Sequence, residues 1–221
     1  MLTANNLELA PWITQDGPDI NPIPADSFTA TLISGGVLKV VNKSSKNMGG
    51  ALVTCKPKSL LPANTLANPY FGLDLDIYVS PHDMDNLARL ELDVKRCIVA
   101  GHGKTISNIG DGSTQWNRSA GCWQIDKPGG GWVDTAFEPI LPPTWTHLSF
   151  RHWMDGAKYS VLSTNWGGMA FNVPASMQNI PLLSSNWDAV VAVQIQFELF
   201  TPGVVTVYAR NISLSLNDKP F

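Results

Sequence analysis

Apolar and polar side chains take turns along much of this chain, and that period of two limits its fold more than any other feature. Leu73, Leu75 and Ile77 alternate with Asp74, Asp76 and Tyr78. A polar turn, Pro81-His82-Asp83-Met84-Asp85-Asn86, interrupts the pattern. It resumes with Leu90, Leu92 and Val94 set against Glu91, Asp93 and Lys95. Successive side chains of a strand point to opposite faces, so each run predicts a strand with one buried and one solvated face. No stretch carries the period of a convincing amphipathic helix; only 84–87 and 175–179 leave room for a short helical turn.

Turn signals divide the rest. Phe28 to Ile33 and Val37 to Asn42 flank Gly35-Gly36, which predicts a hairpin. Further strands are expected over 51–55, 115–116, 121–126, 132–137 and 169–173. A long pair, 189–200 and 204–216, closes the chain around Thr201-Pro202-Gly203. Residues 56–70, 101–113 and 174–187 read as loops from their Pro, Gly and Ser content. Residues 1–26, with Pro11, Pro18, Pro22 and Pro24, read as an extended N-terminal arm, and 27–221 as a single domain. Many short strands without helices predict an all-β fold, an antiparallel β-sandwich of jelly-roll type with a concave sheet face.

The 221 residues are 44% hydrophobic and 15% charged, enough for a packed core and too little charge for a disordered chain. A net charge of −3 with no Lys/Arg cluster argues against a nucleic-acid partner. No apolar run approaches the roughly 18 residues of a membrane span. The N-terminus lacks the charged and apolar regions of a secretory signal, so either no signal is used or one has been removed. Three cysteines exclude a dense disulfide framework. Two readings remain: a Cys97–Cys122 bridge with Cys55 as a buried thiol, or three buried thiols.

The stretch from Trp145 to Gly168 reads as two strands joined at Asp155-Gly156, a dipeptide suited to a hairpin turn. In its first strand Thr146, Leu148 and Phe150 form one parity. Trp145, His147, Ser149, Arg151 and Trp153 form the other, which combines rings with hydrogen-bonding heads. Trp166, beside Gly167-Gly168, is the tryptophan most expected to be exposed. Trp rings stack on sugar rings while polar heads bond the hydroxyls, so Trp145, His147, Arg151, Trp153 and Trp166 are the candidate ligand-binding residues. The plain alternative is that these tryptophans fill the core.

The order of features resembles the concanavalin A-like, laminarinase-type jelly rolls of glycan-active proteins. The resemblance rests on the Glu-x-Asp strand Leu90–Val94, the Trp-rich middle Trp116–Trp153, and the final VTVYARNISLS. It implies the same fold, a carbohydrate partner, an extracellular or surface location, and a structural calcium. Asp74, Asp76, Asp83 and Asp85 are the calcium candidates, with solvated turn carboxylates as the alternative. Hydrolases of this type carry Glu-x-Asp-x-(x)-Glu on one strand face. Here Glu91 and Asp93 supply the first half, but Lys95, Arg96 and Cys97 follow, so the acid/base is missing. Glu138 or Glu198 could replace it only from elsewhere in space. The expectation is therefore a non-catalytic glycan-binding module that needs no catalytic cofactor. The alternatives are a homo-oligomeric subunit of a fibre, capsid or appendage, whose open sheet edges would pair between chains, and a glycoside hydrolase or lyase with an atypical acid/base.

Overall fold

The computed structural model describes residues 2–5, 7–10, 28–44, 50–57, 61–62, 67–97, 106–107, 114–126, 132–134, 144–154, 158–166, 169–170, 175, 178–181 and 189–221. Strands are numbered in chain order, and each sheet is given from edge to edge. The first sheet runs β15 (Met169–Ala170), β14 (Lys158–Trp166), β13 (Thr146–Met154), β7 (Tyr70–Val79), β18 (Gly203–Asn217), β4 (Val37–Ser44), β3 (Phe28–Ile33). Beside β18 lies β1 (Leu2–Asn5), and beside β14 lies β16 (Ile180–Pro181). The second sheet runs β12 (Trp132–Asp134), β11 (Cys122–Asp126), β10 (Thr114–Asn117), β8 (Leu87–Cys97), β17 (Ala189–Leu199), β5 (Gly50–Pro57), β2 (Leu7–Ala10). Here β6 (Leu61–Pro62) pairs with β17 and β9 (Ile106–Ser107) with β8. Every pair is antiparallel. The expected jelly-roll sandwich is what forms.

Alternation does what the sequence predicts. Along β7, Phe71, Leu73, Leu75, Ile77 and Val79 are buried, while Asp74, Asp76 and Tyr78 are half-buried on the other face. Leu38, Val40, Val205, Val207 and Ala209 extend that buried layer across the first sheet. Leu87, Leu90, Trp116 and Leu199 face it from the second. Each fully buried Leu or Phe contributes about 1.5–3 kcal/mol. The Gly35-Gly36 hairpin forms as expected, with both glycines at positive φ (79° and 72°).

Some expectations change in detail. The loops read over 56–70 and 174–187 each hold a two-residue strand, β6 and β16. The start of the N-terminal arm divides between the sheets: β1 pairs with β18 and β2 with β5. Residues 11–26 of that arm, and the turns at Asp155-Gly156 and Gly167-Gly168, lie outside the described residues. Cys122 is a buried thiol, so the Cys97–Cys122 bridge does not form. Register explains why. Cys122 sits opposite Asn117, and Asn117 opposite Arg89, so Cys97 lies eight residues further along β8.

Helix is confined, among the described residues, to α1 (Pro81–Asn86) and a single turn at Ala175. α1 carries the chain from β7 in one sheet to β8 in the other. Ser80 caps it: its Oγ accepts from the Asp83 N–H (3.1 Å) and donates to the Asp83 carboxylate (2.8 Å). Pro81 suits the first helical position, where its missing N–H costs nothing. Arg118 closes the other end by donating to the carbonyls of Met84 (3.0 Å) and Asp85 (2.6 Å). Asn86 then grips another crossover, β17 to β18. It accepts from Thr201 N–H (2.8 Å) and Oγ1 (2.7 Å), and donates to the Thr201 carbonyl (3.0 Å).

Candidate functional site

The outer face of the first sheet collects the polar parity of three adjacent strands, β13, β7 and β18. Thr146, Leu148 and Phe150 are buried, whereas His147 is exposed and Ser149, Arg151 and Trp153 are half-buried. Antiparallel pairing aligns these residues with polar positions on β7 and β18. One row reads His147–Asp76–Arg210, another Arg151–Gly72–Ser215, and a third Trp153–Tyr70–Asn217. A bulge in β18 between Arg210 and Ser213 places Asn211 at a φ of 53°, a conformation asparagine tolerates better than most residues. The bulge brings the Asn211 amide to Asp76.

Asp76 is the hub. Its Oδ1 meets His147 Nδ1 at 2.9 Å, and its Oδ2 accepts from Asn211 (2.7 Å) and Arg210 Nε (3.3 Å). Partial burial pushes its carboxyl pKa up. The hydrogen bonds from His147, Asn211 and Arg210, with the positive charge His147 brings when protonated, outweigh that, and Asp76 titrates below the ordinary aspartate value. Asp74 forms a second centre, 2.7 Å from Arg151 Nη2 and 3.7 Å from His147 Nε2. Arg151 also donates to the carbonyls of Phe150 (3.0 Å) and Leu73 (3.3 Å). Aromatic rings border the charges. Trp145 lies under the Arg210 guanidinium (4.1 Å to the ring centroid) and beside Tyr78 (5.8 Å between centroids). Tyr78 continues to Tyr208 at 5.9 Å.

The structure thus brings Trp145, His147, Arg151 and Trp153 to one face. Trp166 pairs with Leu148 in register, level with the core-facing row of β13 rather than with His147 and Arg151. Of the other tryptophans in the Trp-rich middle, Trp116 is 6% exposed and belongs to the core. Glu91 and Asp93 stand on β8, in the second sheet, opposite Gln196 and Gln194 of β17. Glu198, opposite Arg89, is one diagonal step from Glu91; Glu138 lies outside the described residues. The four aspartates read for calcium separate into a strand pair, Asp74 and Asp76, and a helix pair, Asp83 and Asp85. The strand pair is engaged by cations and the Asn211 amide, and Asp83, in the first turn of α1, accepts from the Ser80 cap. Among the described residues no group of three or more His, Cys, Asp or Glu is placed to hold a metal ion. Sequence reasoning missed Gly72, Tyr208, Arg210, Asn211 and Phe221 as parts of this face. Parity within β18 marks Tyr208 and Arg210 as outward, but their adjacency to β13 through β7 is a property of the pairing.

No family model and no curated protein sequence matches this chain. Solved structures do. The alginate lyase Aly36B superposes with a TM-score of 0.50 at 17% identity, over 82% of this chain and 81% of that one. Arcelin-5, a lectin-like defence protein from Phaseolus vulgaris, gives 0.51 at 10% identity, over 86% and 91%. At such identities the likeness is one of fold. The chain has a concanavalin A-like jelly roll, an architecture that a lectin-like protein and a lyase share. Among the described residues no helix is long and apolar enough to cross a membrane.

Proposed function

We propose that this protein is a non-catalytic glycan-binding sandwich whose site is the outer face of the first sheet, centred on His147. One observation carries the reading. Half-buried rings (Trp145, Tyr78, Tyr208, Trp153) border a cluster of donors and acceptors with an exposed imidazole at its middle. Rings offer a stacking surface for the apolar face of a sugar, and the polar heads offer partners for its hydroxyls. Charge narrows the ligand. Among the described residues of β13, β7 and β18, Asp74 and Asp76 are matched by Arg151 and Arg210, so the cluster around His147 offers no excess of arginine over aspartate to a polyuronate. A neutral glycan fits this face better than an acidic one.

A glycan array carrying neutral and uronate oligosaccharides, followed by titration of the best ligand, tests the reading. Trp145→Ala and Trp153→Ala are expected to weaken binding by about 1–3 kcal/mol, as central aromatic truncations do. Full affinity in both, with folding intact, places the site elsewhere. The hydrolase alternative has one observation in its favour, the diagonal placement of Glu198 beside Glu91 on the second sheet. Incubation with β-glucans, galactans, xylans and alginate is expected to yield neither reducing ends nor unsaturated products.

A further inference from the structure

Glycine in the middle of a strand weakens it and often marks a point where something approaches the backbone closely. At Gly72 the ring of Phe221 and the hydroxyl of Ser215 both approach. A methyl group at position 72 would stand 2.7 Å from Phe221 Cζ and 3.0 Å from its Cε1, and 2.7 Å from Ser215 Oγ, closer than non-bonded atoms pack, although the serine hydroxyl can rotate away where the ring cannot. Arg151 and Ser215 flank Gly72 in register, so their row across the sheet has a gap at its centre. The Arg151 guanidinium covers the inserted ring, 4.5 Å from its centroid. The plug is loosely held: Phe221 remains 48% exposed, and an exposed cation–π contact is weak. In the next row, Asn217 is 7% exposed, and its Oδ1 has no hydrogen-bond partner among the described residues. A buried acceptor without a donor is destabilising. A phenyl ring covers the pit and offers no donor.

We propose that the Gly72 pit is a subsite for a pyranose ring and that Phe221 occupies it as an intramolecular stand-in, so the chain blocks one end of its own binding face. This rests on the glycan reading of that face. A pyranose has the same footprint as the phenyl ring and an apolar face to lie on the glycine backbone. Its hydroxyls would donate to Asn217 Oδ1, which the phenyl ring leaves unserved, and could also bond Ser215 Oγ at the rim of the pit.

The test titrates wild type, Phe221→Ala, Trp145→Ala and the double variant Gly72→Ala/Phe221→Ala with neutral oligosaccharides, each checked by circular dichroism and thermal melting. Phe221→Ala is expected to bind roughly tenfold tighter, the gain from removing an occupant that fills a site about nine-tenths of the time. The double variant should lose that gain, because the alanine methyl refills the pit. If the double variant fails to fold, Asn217→Leu in the Phe221→Ala background replaces it. Loss of the gain there supports the pit, and a retained gain overturns it. Equal affinity of Phe221→Ala and wild type, with Trp145→Ala weakened, overturns the occlusion and leaves the face standing. A gain in Phe221→Ala with Trp145→Ala unaffected keeps the pit and removes the wider face. Absence of binding in every variant overturns both.

Discussion

His147 touches two carboxylates, and the one it shares with Arg210 and Asn211 has a measurable consequence. Asp76 titrates lower in the folded chain than an unfolded aspartate, whose ordinary value is about 3.9. The stabilisation is therefore fully present above that value and is lost as pH falls through the lower, folded one. Asp76→Asn removes this linkage. Denaturant melts between pH 3 and 7 should show the variant less stable at neutral pH, by about 1 kcal/mol once solvent screening is allowed for. The gap to wild type should narrow as pH drops below 4. A gap that stays constant down to pH 3 would show that Asp76 gains nothing from its partners on folding. Much of this chemistry was legible at the level of single residues. Parity alone put Trp145, His147, Arg151 and Trp153 on one face. It also put Asp74 and Asp76 on the polar face of their strand, though as calcium candidates rather than as the partners of His147 and Arg151.

At the scale of elements, the turn between β7 and β8 matters more than its length suggests. Its sequence reads as a polar connection with room for a helical turn at 84–87. The structure starts the helix at Pro81, after a Ser80 cap and with Asp83 in its first turn. The Ser-Pro-x-Asp pattern was visible in the sequence. What hid the helix was its brevity, since six residues are too few to show a period. Asn86 ties this crossover to the one between β17 and β18, joining two of the places where the chain passes from sheet to sheet. Asn86→Ala strips three hydrogen bonds from Thr201 and is expected to destabilise the fold by about 1–3 kcal/mol, read as a lower denaturant midpoint with an unchanged m-value. Ser80→Ala should cost about 1 kcal/mol through the cap alone. A larger loss from Ser80→Ala than from Asn86→Ala would contradict the view that the tie between crossovers, rather than the helix itself, holds this end of the sandwich.

Across the whole molecule, strand order decides what can act together, and strand order is what the sequence conceals. Arg151 and Asp74 are 77 residues apart in sequence yet in contact, 2.7 Å from nitrogen to oxygen. Nothing local to β13 or β7 announces that they are neighbours, because pairing is settled by how all the strands share two sheets. The same rule separates two sets of candidate residues. Glu91 and Asp93 are the carboxylates the sequence singles out for catalysis, and Trp145–Trp153 the set it singles out for binding. The carboxylates lie on β8 in the other sheet, while the set lies on β13 in the first. Packed sheets are about 10 Å apart, and the solvated parities of the two sheets look away from each other. The core of Leu, Phe and Trp116 side chains fills the space between them. Glu91→Gln should therefore leave glycan affinity within the roughly 0.5 kcal/mol expected of a distant surface change, while Trp145→Ala lowers it. Calorimetry on the two variants with one oligosaccharide checks this, since sites that do not communicate give additive effects in the double variant. A loss of binding in Glu91→Gln equal to that in Trp145→Ala would move the ligand to the second sheet, beside Glu198, and revive the hydrolytic reading of that face.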